Sequence, residues 1–183
     1  MNITLYGSAS DRIDQAYIEG VEKLGFAIAK RGHTMVFGAG STGLMGAAAR
    51  GVHRAGGNII GVTPHFMHTL EPISDLCTEI IETETMADRK TIMEDKADAF
   101  VIVPGGLGTL DEFFQILTLK ILGRHDKPIV LYNINSFWDD MLGVIGADIL
   151  KGFISPEVAN DFCMCETPES VFKAIEAPKV AKM

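Results

Sequence analysis

The chain has 183 residues, of which 47% are apolar and 22% charged, and its formal net charge is −8. This is the composition of an ordinary globule, long enough to bury one sizeable core. It lacks the basic footprint of a nucleic-acid binder and the run of ~20 apolar residues that spans a membrane. The start, Met1-Asn2-Ile3-Thr4, has none of the basic residues of a signal peptide and reads as a strand. A cytoplasmic protein without nucleic-acid or membrane partners is expected. Cys77, Cys163 and Cys165 form an odd set with no zinc spacing, and reduced thiols are expected.

In chain order the pattern alternates strand and helix. Residues 3–6 read as a strand ending at Gly7-Ser8. Residues 14–31 read as a helix with Val21, Leu24, Ala27 and Ile28 on one face, stopped by Gly32. A strand is predicted over 35–37, a small-residue helix over 44–55 and a strand over 58–62. Residues 63–77 are the least regular part of the chain. A strand follows over 76–81, a helix over 86–96 and a wholly apolar strand over 99–103. The last elements are a helix over 109–122, a strand over 128–132, a helix over 137–150, a short strand over 162–164 and a helix over 168–177. Such alternation predicts one α/β domain over 1–183, doubly wound and Rossmann-like, with a mostly parallel sheet of six to seven strands. Ligands of such sheets bind beyond the carboxyl ends of the strands. Here those ends are rich in glycine and small hydroxyl residues.

Two glycine loops stand out. Gly38-Ala39-Gly40-Ser41-Thr42-Gly43 fits G-x-G-x-x-G. It follows the second strand, not the first, and the next strand ends Gly61-Val62-Thr63 without a ribose-binding acid. Dinucleotide binding is therefore not expected. The loop is either a tight packing turn or a wall of a nucleotide pocket. The second loop is sharper. The buried strand 99–103 runs into Pro104-Gly105-Gly106-Leu107-Gly108-Thr109-Leu110-Asp111-Glu112. Glycines allow close backbone approach, and the helix that follows offers free N–H groups and a partial positive charge. Together these make a phosphate cradle. Thr109-Leu110-Asp111-Glu112 also reads as a capping box, with Thr109 as N-cap and Glu112 at the third helical position. Glu112 is thus either a helix cap or a carboxylate placed for ribose chemistry.

A third feature is the helix Met86-Ala87-Asp88-Arg89-Lys90-Thr91-Ile92-Met93. Arg89 lies one turn before Met93, on a face that turns inward. It either assists a bound phosphate or leaving base or forms a solvated pair with Asp88 or Glu94. His65 and His68 are spaced i, i+3 without acidic or cysteine neighbours, and no metal site is expected there.

Arg89-Lys90 together with Pro104 to Glu112 resembles the paired R-K and P-G-G-x-G-T-x-x-E motifs of the LOG ("lonely guy") phosphoribohydrolases. Gly38 to Gly46, ending Gly43-Leu44-Met45-Gly46, resembles their Y-G-G-G-x-x-G-L-M-G loop. Gly7-Ser8 resembles their first-strand G-S, and Lys127 to Val130 with Asn133 their sixth strand. Phe37 and Ala39 depart from the pattern of the first loop, and Ala87-Asp88 stands where His-Glu or His-Gln usually precedes R-K. Members are often labelled lysine decarboxylases, but no residue context here argues for a pyridoxal Schiff base.

The resemblance implies hydrolysis of the N-glycosidic bond of a nucleoside 5′-monophosphate, AMP or an N6-prenylated AMP, to free base and ribose 5-phosphate. It implies that Gly105, Gly106, Gly108 and Thr109 hold the phosphate, with Leu107 among the substrate-binding residues, and that Arg89 and Glu112 are catalytic. Lys90, Thr118, Ser8, Gly43, Met45 and Glu71 would be further substrate contacts. It implies a homodimer and no cofactor or metal. A nucleotide-binding or carrier module that does not cut its ligand is the alternative.

Overall fold

The structure is a computed structural model that describes residues 1–177. Its strands are β1 (Asn2–Tyr6), β2 (Thr34–Phe37), β3 (Ile59–Pro64), β4 (Glu79–Thr83), β5 (Ala99–Ile102), β6 (Ile129–Tyr132) and β7 (Cys163–Cys165). Its α-helices are α1 (Gln15–Lys30), α2 (Gly43–Arg54), α3 (Met86–Lys96), α4 (Leu107–Ile121), α5 (Asp139–Leu150) and α6 (Pro168–Ile175). The strands form one seven-stranded sheet in the order β4-β3-β2-β1-β5-β6-β7. Every pairing is parallel. The expected doubly wound α/β fold is therefore present.

Alternation along the strands feeds two cores. Ile3 and Leu5 of β1 and Ala99 and Val101 of β5 pack towards α1, α2 and α6. Tyr6, Phe100 and Ile102 pack towards α3, α4 and α5. All four β5 residues are buried, as a strand covered on both faces requires. β4 lies at one edge of the sheet, and the chain then crosses to place β5 beside β1. The topological switch therefore falls between β1 and β5, and a crevice opens at their carboxyl ends. The two ends are tied by Val103 N–H to the Tyr6 carbonyl at 2.9 Å and by Ser8 N–H to the Pro104 carbonyl at 3.1 Å.

Most boundaries shift by a residue or two from expectation, and three shifts matter. β4 starts at Glu79, because Leu76 and Cys77 turn back onto the core. α5 starts at Asp139, because Asn133 first makes a turn: it accepts from the Trp138 N–H and donates to the Asp139 carboxylate, each at 2.8 Å. α4 starts at Leu107 with Gly106 as its N-cap, not at Thr109. No helix among the described residues is long and apolar enough to cross a membrane. All three cysteines are free.

Candidate active site at the switch point

The early start of α4 removes the capping-box reading of Glu112. Thr109 occupies the third helical position and Glu112 the sixth, so the threonine does not cap the helix and the glutamate does not reach back to its start. Gly106 has no side chain with which to cap the helix. Among the described residues, no acceptor takes the N–H groups of Leu107, Gly108 and Thr109. A helix start of this kind presents three donors and the positive end of the helix dipole. Leu107 is 86% exposed and Gly106 and Gly108 are exposed, whereas Thr109 is buried. A Cβ on Gly105 would stand 2.1 Å from Thr109 Oγ1. That glycine therefore leaves the space in which the hydroxyl sits.

One turn into α4, Glu112 meets Arg89 of α3. Glu112 Oε1 lies 3.6 Å from Arg89 Nη2, and the two side chains are only 11% and 10% exposed. The guanidinium is held from behind, since its Nε donates to the Val62 carbonyl at 3.2 Å. The expected inward face of α3 is present, and the solvated pairing of Arg89 with Asp88 or Glu94 is not. Burial pushes the Glu112 carboxyl up to about 7; Arg89 opposes the shift, Asp111 adds to it and Lys90 opposes it. Desolvation outweighs the arginine because 3.6 Å is a loose ion pair.

The glycines of the first loop seat these side chains. A Cβ on Gly38 would stand 1.9 Å from Arg89 Nη2, so only glycine lets the guanidinium lie against the end of β2. A Cβ on Gly40 would stand 2.3 Å from Glu71 Oε1. The segment 72–74, predicted to be irregular, is zipped along this loop. Ser41 N–H donates to the Pro72 carbonyl at 3.0 Å and Ser74 N–H to the Ala39 carbonyl at 2.8 Å. That pairing brings Glu71 across from Gly40 and into the field of Arg89. Burial raises the Glu71 carboxyl and Arg89 opposes it. Met45 is buried beside them, its methyl facing Gly40.

A pocket of about 240 Å³ opens on the other side of the second loop. Gly105 and Gly106 line it together with Ser8, Leu44, Tyr17 and Phe137. The start of α2 beside it is closed. Gly43 N–H donates to the Asp11 carboxylate at 2.8 Å, and the Leu44 and Met45 N–H groups donate to the Ser8 carbonyl at 2.8 and 3.3 Å.

Of the residues singled out in sequence, Arg89, Glu112, Glu71 and Met45 come together. Ser8 and Gly43 adjoin the pocket side, and 105–109 form the ridge between. Lys90 turns aside to Asp111, 3.0 Å away. Thr118 is exposed on α4, outside both clusters. His65 and His68 do have an acidic neighbour, because both approach Glu82 at 3.3 Å. Among the described residues, no group of three or more His, Cys, Asp and Glu side chains could hold a metal ion.

Residues 45–175 match the family model described as "Possible lysine decarboxylase". Over 178 residues the chain is 34% identical to the cytokinin riboside 5′-monophosphate phosphoribohydrolase of Rhodococcoides fascians, covering 97% of this chain and 90% of that protein. The enzyme of the same name from Mycobacterium tuberculosis is 37% identical over 157 residues, covering 86% and 84%. Arabidopsis thaliana LOG3 is 32% identical over 174 residues, covering 95% and 81%. The chain belongs to the LOG family.

Solved structures share the fold. The molybdenum cofactor carrier protein of Chlamydomonas reinhardtii aligns with a TM-score of 0.73 at 23% identity, covering 96% of this chain and 95% of that one. The molybdenum cofactor binding protein of Rippkaea orientalis aligns with a TM-score of 0.71 at 24% identity, covering 96% and 93%. Identities this low speak for the architecture alone. In this LOG-family chain, sequence reasoning missed the seating roles of Gly38 and Gly40 and the Asp11 cap of α2. The glycine pattern flagged the first two positions. Nothing local in the sequence named their partners, which come from α3 and from the segment after β3.

Proposed function

We propose that this protein hydrolyses the N-glycosidic bond of a nucleoside 5′-monophosphate, AMP or an N6-prenylated AMP, releasing the free base and ribose 5-phosphate. The observation that carries the reading is the buried Arg89–Glu112 pair one turn beyond the uncapped start of α4. A 5′-phosphate received by the N–H groups of 107–109, with Gly105 and Gly106 giving close approach, puts the ribose within reach of Glu112. Glycosidic cleavage passes through an oxocarbenium-like state, which a carboxylate stabilises. The departing base gains negative charge, which Arg89 offsets. Arginine stays protonated at working pH, so its part is electrostatic and hydrogen-bonding. Glu71, Lys90, Ser8, Gly43, Met45 and Thr118 are proposed as further substrate contacts.

The protein is proposed to act as a cytoplasmic homodimer without cofactor. Exposed Phe114 and Ile121 on α4 and Leu122 just after it support the pairing. They flank Thr118, so a second copy seated there would draw that residue towards a pocket its own chain does not bring it to. The excess of negative charge speaks against nucleic acid as a partner.

The test is incubation with AMP and with isopentenyl-AMP, with free base followed by chromatography and Glu112→Gln run in parallel. Base release by the wild type and not by the folded variant supports the reaction and the role of Glu112. Nucleotide binding without release of base or phosphate would replace the reading with that of a carrier. Release of phosphate would replace it with that of a phosphatase.

A further inference from the structure

Tyr6 ends β1 at the switch point. It is 2% exposed, and its ring stacks on Phe100 at 6.3 Å with the planes 10° apart. It packs in the same core as Met93 of α3 and Phe113 of α4, which lie one turn after Arg89 and one residue after Glu112. The ring thus sits in the core shared by α3, which carries Arg89, and α4, which carries Glu112. Its hydroxyl is fully buried and has no hydrogen-bond partner among the described residues. Buried hydroxyls are rarely left so, and an orphan next to a site calls for a functional account.

The charges that reach this hydroxyl are those of Glu112, Glu94 and Arg89. Burial raises the Tyr6 phenol well above its usual value; Glu112 and then Glu94 raise it further, and Arg89 opposes them. The phenol therefore keeps its proton and can donate, within the field of two carboxylates. Glu94 is already engaged, since its carboxylate accepts from the Gln115 amide. Among the described residues, Glu112 has only the loose contact with Arg89 and keeps acceptor positions open.

We propose that Tyr6 is a positioning residue of the site: its hydroxyl donates a hydrogen bond to the Glu112 carboxylate and fixes the face that this carboxylate turns to the ribose. The ring is held by its stack on Phe100 within a packed core, so closure of the contact falls to the Glu112 side chain. A bond to the charged form favours that form, which opposes the desolvation of Glu112. Arg89, Lys90 and Asp111 are the other charged groups acting on Glu112, and none of them is altered by removing the Tyr6 hydroxyl. The proposal rests on Glu112 acting at the ribose.

The test is Tyr6→Phe in the full chain, which keeps the ring stack and removes one oxygen. Two readouts separate this proposal from the reading beneath it. The first is the Glu112 titration in ligand-free protein, followed by carbon-13 NMR of labelled glutamate and assigned with Glu112→Gln. Loss of the donor should move it up by about one pH unit. The second is the pH profile of base release, whose acid limb should move up by the same amount. At the profile's plateau kcat should fall about tenfold, with KM little changed. A wild type that releases no base, with the NMR shift present, would sink the catalytic reading and leave the contact standing. An unchanged Glu112 titration in a folded Tyr6→Phe protein overturns the proposal. So does a variant that loses only thermal stability, because a purely structural tyrosine would not move the titration.

Discussion

The two glycine loops are alike in composition and opposite in how the helix that follows each is capped. Each follows a parallel strand and opens a helix on the same rim. In the first, the helix start is closed by the chain itself: Asp11 caps the Gly43 N–H and the Ser8 carbonyl takes two more. Its glycines are occupied by side chains, Arg89 over Gly38 and Glu71 over Gly40. In the second, Gly106 provides no cap and, among the described residues, the next three N–H groups have no acceptor. Glycine at a strand end thus has two uses. It can admit a neighbouring side chain, or it can admit a ligand, and what distinguishes the two is whether the donors of the next helix are already taken.

The comparison is tested most severely at Glu112. Glu112→Gln should cut base release about a thousandfold and leave nucleotide affinity near that of the wild type, by activity assay and binding titration. Retention of more than a tenth of the activity would make the second loop a binder only. The same group predicts a pH signature. Its folded value near 7 lies above the ordinary 4.5, so the folded protein holds a proton that the unfolded chain has released between those values. Stability should therefore fall as pH rises from about 4.5 to 7 and level off above, by on the order of 3 kcal/mol from this group. Denaturant midpoints of wild type and Glu112→Gln between pH 4.5 and 8 should differ by that slope.

Gly38→Ala should come next, with about a hundredfold loss in kcat as the Cβ displaces the guanidinium. Nucleotide binding should survive if the first loop seats Arg89 rather than holding phosphate. Gly105→Ala should do the reverse, raising KM about tenfold through the crowded Thr109 hydroxyl while kcat changes less. Asp11→Ala should be the mildest. It removes a cap worth about 1 kcal/mol, visible in thermal unfolding, and kcat/KM should stay within about threefold. Loss of nucleotide binding in that variant would mean that the first loop also receives ligand.

Much of this was legible in the residues. The apolar run of β5 and the strand–helix alternation announced a covered parallel sheet, because burial on both faces leaves no room for polar alternation. The inward face of Arg89 followed from its spacing to Met93. The start of α4 was misread for a physical reason. Thr109 to Glu112 has the letters of a capping box, but the Gly-Gly turn lets the helix begin two residues earlier, and a cap pattern inside a helix caps nothing. A true capping box did form at Thr167 and Ser170, at the start of α6.

The sequence by itself determined the order of strands and helices, the two glycine turns and the residue types available for chemistry. Those depend on local backbone preference and on hydrophobic period, which neighbours along the chain encode. Only the tertiary structure decided which glycines take a side chain against them and which helix start is left without a cap. It alone set Glu71 opposite Gly40, drew Glu112 and Arg89 into one buried pair and left the buried Tyr6 hydroxyl without a partner among the described residues. Each of those outcomes depends on contacts between elements far apart in the chain, and on the desolvation that only close packing produces.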